Sequence, residues 1–187
     1  MKHSRLIRLG AALSTLVALS LSPSAQAADL KIGLVAALTG QSAQSGEAIT
    51  RGLTIAIDEI NAKGGVLGQK LVLVKRDDES SPPKGVTAAR ELISSEKVVA
   101  LFGGIDTPVS LAIVPIANQN KKPFMGVWAA GTNITKNGAS PNYVFRVSAQ
   151  DDLVDIALIK YAMSTYNAKK PGLVLVNNPW GESNEKG

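Results

Sequence analysis

Chemistry in this chain would have to come from hydroxyls, carboxylates, lysines and backbone donors. The stretch LFGGIDTPVS, Leu101–Ser110, ends an apolar run on two glycines, then presents Asp106 and Thr107 before Pro108. A helix starting there would offer free backbone N–H groups and the Thr107 hydroxyl to an anionic ligand group. The plain alternative is a helix cap, with Asp106 or Thr107 as the capping residue and proline at the first helical position. A second stretch, Ala129-Ala130-Gly131-Thr132-Asn133, pairs small residues, which admit a ligand close to the backbone, with the Thr132 hydroxyl. A plain turn with a cap is its alternative. Trp128 and Trp180 fall at predicted strand ends in a chain with few aromatics. They suit a ligand wall, or else core packing. Asp77-Asp78-Glu79 has adjacent acids pointing different ways and no matching ligand set, so it reads as a solvated turn rather than a metal site. Asp151-Asp152 opens a helix, where acids favour the dipole.

Several chemistries are excluded. The chain has no cysteine, and its one histidine is His3. Beyond that residue no Ser-His-Asp triad, Cys-His dyad or His/Cys zinc site can be built. The glycine-rich stretches lack G-x-G-x-x-G and the G-K-[ST] ending of a phosphate loop, and here they permit tight strand-to-helix turns. No cofactor is implied.

Residues 1–27 read as a secretory signal. Lys2, Arg5 and Arg8 form a basic head, and Leu9–Leu21 is an apolar run. That run, about 13 residues, is short of the ~20 a membrane span needs. Ala25-Gln26-Ala27 then supplies a cleavage site. Removing the three basic residues lowers the net charge from +5 to +2. No basic stripe remains to argue for nucleic acid.

The elements that must position these residues alternate. Leu30–Ala36, Lys70–Lys75, Val98–Phe102, Pro123–Trp128, Tyr143–Val147 and Gly172–Val176 are predicted strands. Between the first two, Ile49, Leu53, Ala56, Ile57 and Ile60 share one helix face that Gly64-Gly65 ends. Ser45 falls in the loop before that helix. Ser81 is the expected N-cap of a second helix opened by Pro82-Pro83, Pro108 starts a third, and Asp151 to about Asn167 forms a long apolar-faced fourth. Such alternation predicts a three-layer α/β fold, a parallel sheet with helices on both faces. Ligands then sit beyond the carboxyl ends of the strands. The alternation restarts after Val147, so residues 28–147 are expected to form a first lobe and 148–187 the start of a second, incomplete one. The chain stops at PWGESNEKG as a helix begins, so a longer protein is expected.

The run LKIGLVAALTGQSAQSGEAITRGLTIAIDEINAKGGVLGQKLVLVKRDDESSP resembles the start of the leucine/isoleucine/valine-type periplasmic binding proteins, which serve ABC importers. GTNIT, YVFRVSAQDD and NNPWGES extend the resemblance to the end of the chain. It implies a type I periplasmic binding fold, with two lobes closing over a ligand in the cleft between them. It also implies that Thr107 and the segment Ala130, Gly131 and Thr132 hold a ligand carboxylate, that Asp151 meets an ammonium, and that Trp180 covers the ligand. The family often carries an aromatic where this chain has Ser45, and a small neutral residue where it has Asp106. Trp128 is expected to replace the missing bulk, and Asp106 to bear on the charge the ligand can carry.

The resulting expectation is a periplasmic, monomeric, non-enzymatic solute-binding protein for an amino acid or analogue, with an ABC permease as partner. The rival readings are the ligand-sensing domain of a receptor and an exported enzyme using Asp77, Asp106 or Asp151 as a general base.

Overall fold

The computed structural model describes residues 28–187; the signal reading of residues 1–27 lies outside the described residues. Strands β1 (Leu30–Ala36), β2 (Leu71–Asp77), β3 (Ala100–Gly103), β4 (Phe124–Gly126) and β5 (Val144–Arg146) form one sheet in the order β2-β1-β3-β4-β5. Every pairing is parallel, with Gly33 opposite Val74 on one side and Leu101 on the other. Helices α1 (Ala43–Ala62), α2 (Pro82–Ser94), α3 (Thr107–Gln119), α4 (Asp151–Tyr166) and α5 (Pro179–Lys186) follow the strands and loops in turn.

The apolar periodicities set the layers. On one face, Leu92 and Ile93 of α2 and Val109, Ile113 and Ile116 of α3 pack on Val35, Leu101 and Phe124. On the other, Ile49 and Leu53 of α1 cover Leu34, Ala36 and Ile105. Each fully buried large aliphatic side chain here contributes roughly 1.5–3 kcal/mol. The predicted three-layer parallel fold is therefore what forms.

The sheet order reverses at β1. From β1 the chain steps outward to β2, then returns to β3 on β1's other side. The loops after β1 and β3 therefore diverge and leave a crevice between them, where open parallel sheets bind ligands. Gly103 makes this junction possible. Its φ is +140°, and a side chain there would run into the Val35 backbone.

Some expectations need correction. Helix α1 begins at Ala43, so Ser45 lies in its first turn rather than in the preceding loop. Ser81 occupies the N-cap position of α2 but makes no side-chain cap bond. Pro82 and Pro83 fill the first two helical positions, so only the Lys84 amide was open to a cap, and Ser81 does not bind it. Helix α3 likewise starts one residue early, with Pro108 in second place, and the Asp106 side chain caps nothing. Gly172–Val176 is not a strand, because none of the described strands pairs with it, and Val174 is fully exposed. The apolar residues of α4 are also outward: Leu153, Ile156, Leu158, Tyr161 and Met163 are all exposed. Their pattern records a burial partner that the described residues do not provide.

Candidate functional site

The crevice between the β1 and β3 loops is a cavity of ≈ 270 Å³. Its walls come from four places. Ser42 and Ser45 stand at the start of α1, Ile105–Pro108 at the start of α3, Trp128–Ala130 after β4, and Asn178 and Trp180 at the start of α5. Six sequence candidates, Ser45, Asp106, Thr107, Trp128, Ala130 and Trp180, thus share one cavity. Gly131 and Thr132 line an adjoining hollow, together with Thr107, Asp152 and Ser183. Thr107 is the wall between the two. Asp151 lines neither.

Local chemistry fixes each group. Thr107 is only 4% exposed, and its Oγ1 accepts the Gly131 N–H at 3.3 Å. A side chain on Gly131 would collide with the Thr107 methyl, so glycine permits this approach. Trp180 sits in the first turn of α5. Its amide and that of Gly181 donate to Asn178 Oδ1 at 2.9 and 3.2 Å, an N-cap that settles where the indole begins. Trp128 and Trp180 are both about half exposed, as fits cavity walls better than core packing.

The loop after β4 is held from behind. Ser148 Oγ donates to the Ala129 carbonyl at 2.8 Å, and Arg146 donates to the carbonyls of Ala130 and Gly131 at 2.9 and 2.6 Å. The Asp151 N–H donates to Ala130 O at 2.9 Å. The loop's carbonyl oxygens are consumed on this side. Arg146 was not singled out in the sequence, although a lone arginine among the apolar residues of YVFRV was its visible signal. Burial holds the Arg146 pKa below its ordinary value, partly offset by the charges of Asp151 and Asp152.

The acidic run after β2 is not a solvated turn. Asp77 accepts from the Leu38 N–H at 2.9 Å, the Thr39 hydroxyl at 2.6 Å and the Glu79 N–H at 2.9 Å, tying the β1 loop to the end of β2. Burial alone would raise the Asp77 pKa, but these bonds outweigh it and leave it lowered. Asp78 is 1% exposed, with Oδ1 accepting from the Ser80 N–H at 2.9 Å and Oδ2 unpartnered. Burial pushes its carboxyl up to about 6, and the charges of Asp106 and Asp77 add to the shift. Asp151 is also buried, with an unpartnered Oδ2, while Asp152 pairs with Lys136 at 2.9 Å. No cluster of metal-ligating side chains occurs among the described residues.

Comparison with known proteins matches this geometry to a family. The family described as "Periplasmic binding protein" matches residues 29–187. The Leu/Ile/Val-binding protein BraC3 of Rhizobium johnstonii is 32% identical over 170 residues, covering 90% of this chain and 45% of that protein. A solute-binding protein of an ABC transporter from Rhodopseudomonas palustris BisB5, crystallised with 3,4-dihydroxybenzoic acid, superposes with a TM-score of 0.75. It is 27% identical and covers 84% of this chain and 42% of its own. The substrate-binding protein LivJ of Streptococcus pneumoniae, crystallised with isoleucine, gives a TM-score of 0.68 at 28% identity, over 75% of this chain and 39% of its own. The chain spans less than half the length of these relatives. Its sheet order, its crevice and the match over residues 29–187 agree: the chain belongs to the periplasmic binding protein family.

Proposed function

We propose that this chain is the ligand-capturing part of a periplasmic solute-binding protein of an ABC importer, taking an amino acid or a related small polar compound. The observation that carries the reading is the cavity at the sheet's reversal point, where six residues from the starts of α1, α3 and α5 and from the loop after β4 converge. Its volume of ≈ 270 Å³ suits a ligand of amino-acid size. The Thr107 hydroxyl, the start of α3 and the small residues Ala130, Gly131 and Thr132 would receive polar ligand atoms. Trp128 and Trp180 would cover the apolar part, with Ser45 leaving room beneath them. Asp151 does not line the cavity, and its amide is positioned to hold the Ala130 loop.

In this reading residues 1–27 direct export, residues 28–147 form the lobe that binds first, and residues 148–187 begin the lobe that closes over the ligand. The protein works as a monomer and delivers its ligand to the importer's membrane permease without a chemical step. The two crystallised relatives hold ligands that both carry a carboxylate, which supports the polar role of the Thr107 wall.

Titration calorimetry against the twenty amino acids, small amines and hydroxybenzoates tests the reading. Saturable one-site binding of at least one of them, without turnover, is expected. Absence of binding to all of them would refute it, and conversion of the bound compound would point to the enzyme alternative.

A further inference from the structure

We propose that the ligand of this cavity carries a cationic N–H group that pairs with Asp106, so that amino compounds are accepted and carboxylates lacking such a group are refused. The proposal rests on the binding reading above and sharpens it to a ligand class. Among the residues lining the cavity, Asp106 alone bears a charge, and no lysine or arginine lies on its walls. Its Oδ2 is shielded from solvent and has no hydrogen-bond partner among the described residues. A wall carboxylate that no lysine or arginine of the cavity pairs leaves its charge for a donor arriving with the ligand.

The usual explanation for an acid at this position fails. Asp106 holds the N-cap position of α3 but makes no side-chain cap bond. The start of α3 favours a negative charge there. Nor does a neighbouring side chain neutralise it. The buried acid Asp78, which does not line the cavity, is close enough to feel the Asp106 charge and supplies no cation to it. Two tryptophans, Trp128 and Trp180, line the same cavity. A carboxylate beside aromatic walls is the arrangement that receives an ammonium or guanidinium, through charge and through the ring quadrupole together. An aromatic acid placed there would bring its own negative charge toward Asp106.

The test titrates the protein with putrescine, L-arginine, L-leucine and 4-hydroxybenzoate, as wild type and as Asp106→Asn. At least one amine is expected to bind tenfold or more tightly than 4-hydroxybenzoate. In Asp106→Asn that amine should weaken at least tenfold while 4-hydroxybenzoate does not. Asp106→Glu, which keeps the charge, should retain the preference, and thermal melts of both variants show whether the fold is intact. Binding of 4-hydroxybenzoate as tight as that of every amine, or amine affinity unchanged in Asp106→Asn, overturns the cation proposal and leaves the binding reading standing. Binding of none of the four overturns the cation proposal, and only silence across the wider calorimetric panel removes the binding reading with it.

Discussion

The backbone N–H of Thr132 donates to the Ser183 hydroxyl at 3.0 Å, joining the loop after β4 to a helix 51 residues further on. Helix α5 also packs on α3, and Trp180 in its first turn reaches the cavity wall. The bond therefore pins α5 to the loop after β4. Ser183→Ala should cost about 1 kcal/mol of this docking. Ligand dissociation should quicken roughly fivefold, with association little changed. Stopped-flow kinetics separates the two rates, and an unchanged dissociation rate would mean that the bond does not act on closure.

Gly131→Ala should damage the site more than the fold. The new methyl meets the Thr107 methyl, and Thr107 is the wall shared by the two hollows. Thr107 must turn or the loop must lift, and either breaks the hydrogen bond from the Gly131 N–H. Affinity is expected to fall at least tenfold while the melting temperature drops by only a few degrees. Calorimetry and a thermal melt on the same sample read both quantities.

Asp78 should make stability depend on pH above the ordinary carboxylate range. Its native value is about 6, raised from 3.8. Between those values the native state holds a proton that the unfolded chain has released, so this group's contribution grows as pH falls from about 7 toward 4. Asp78→Asn resembles the protonated form and can keep the bond from the Ser80 N–H. The variant should be at least as stable as wild type at pH 7, and should show less gain on acidification to pH 5. Parallel denaturant melts at the two pH values give the difference directly; identical slopes would contradict the assignment.

Asp77 acts in the opposite sense. Its lowered pKa stabilises the fold above the unfolded value, and that contribution is lost as pH falls through the depressed native one. Asp77→Ala removes the acceptor of three hydrogen bonds and frees the loop between β1 and α1. Hydrogen exchange at the Leu38 and Thr39 amides should speed up by an order of magnitude or more, since each lost bond is worth about 1 kcal/mol. Protection at Leu101, in the core, should change far less.

The sheet was legible because its signals are local. Strand β1 is a continuous apolar run bounded by a glycine-rich loop, and α1 shows one apolar face ended by Gly64-Gly65. The GLVLV segment misled because an apolar run specifies burial without specifying a partner, and the described residues contain no neighbouring strand for it. The cap expected of Ser81 did not form: Pro83 removes one of the two amides a cap could bind, and the Ser81 side chain does not take the other, that of Lys84. Trp180 reaches the cavity from the first turn of α5, not from the strand end expected before it, whereas Thr107 could be placed there from strand-end logic. Arg146 and Ser183 could not, because their partners are backbone groups brought near only by tertiary folding. The buried state of Asp78 was hidden for a similar reason: three acids in a row look solvated until α2 and α3 pack over one of them.

The central claim is that the crevice between the β1 and β3 loops is where ligand binds. The chain has two tryptophans, so Trp128→Phe leaves Trp180 as the only indole, on the cavity wall. Its fluorescence should change saturably on addition of whichever panel compound gives heat in calorimetry, with the same dissociation constant. A compound that binds by calorimetry while Trp180 stays silent would place the site elsewhere and contradict the account.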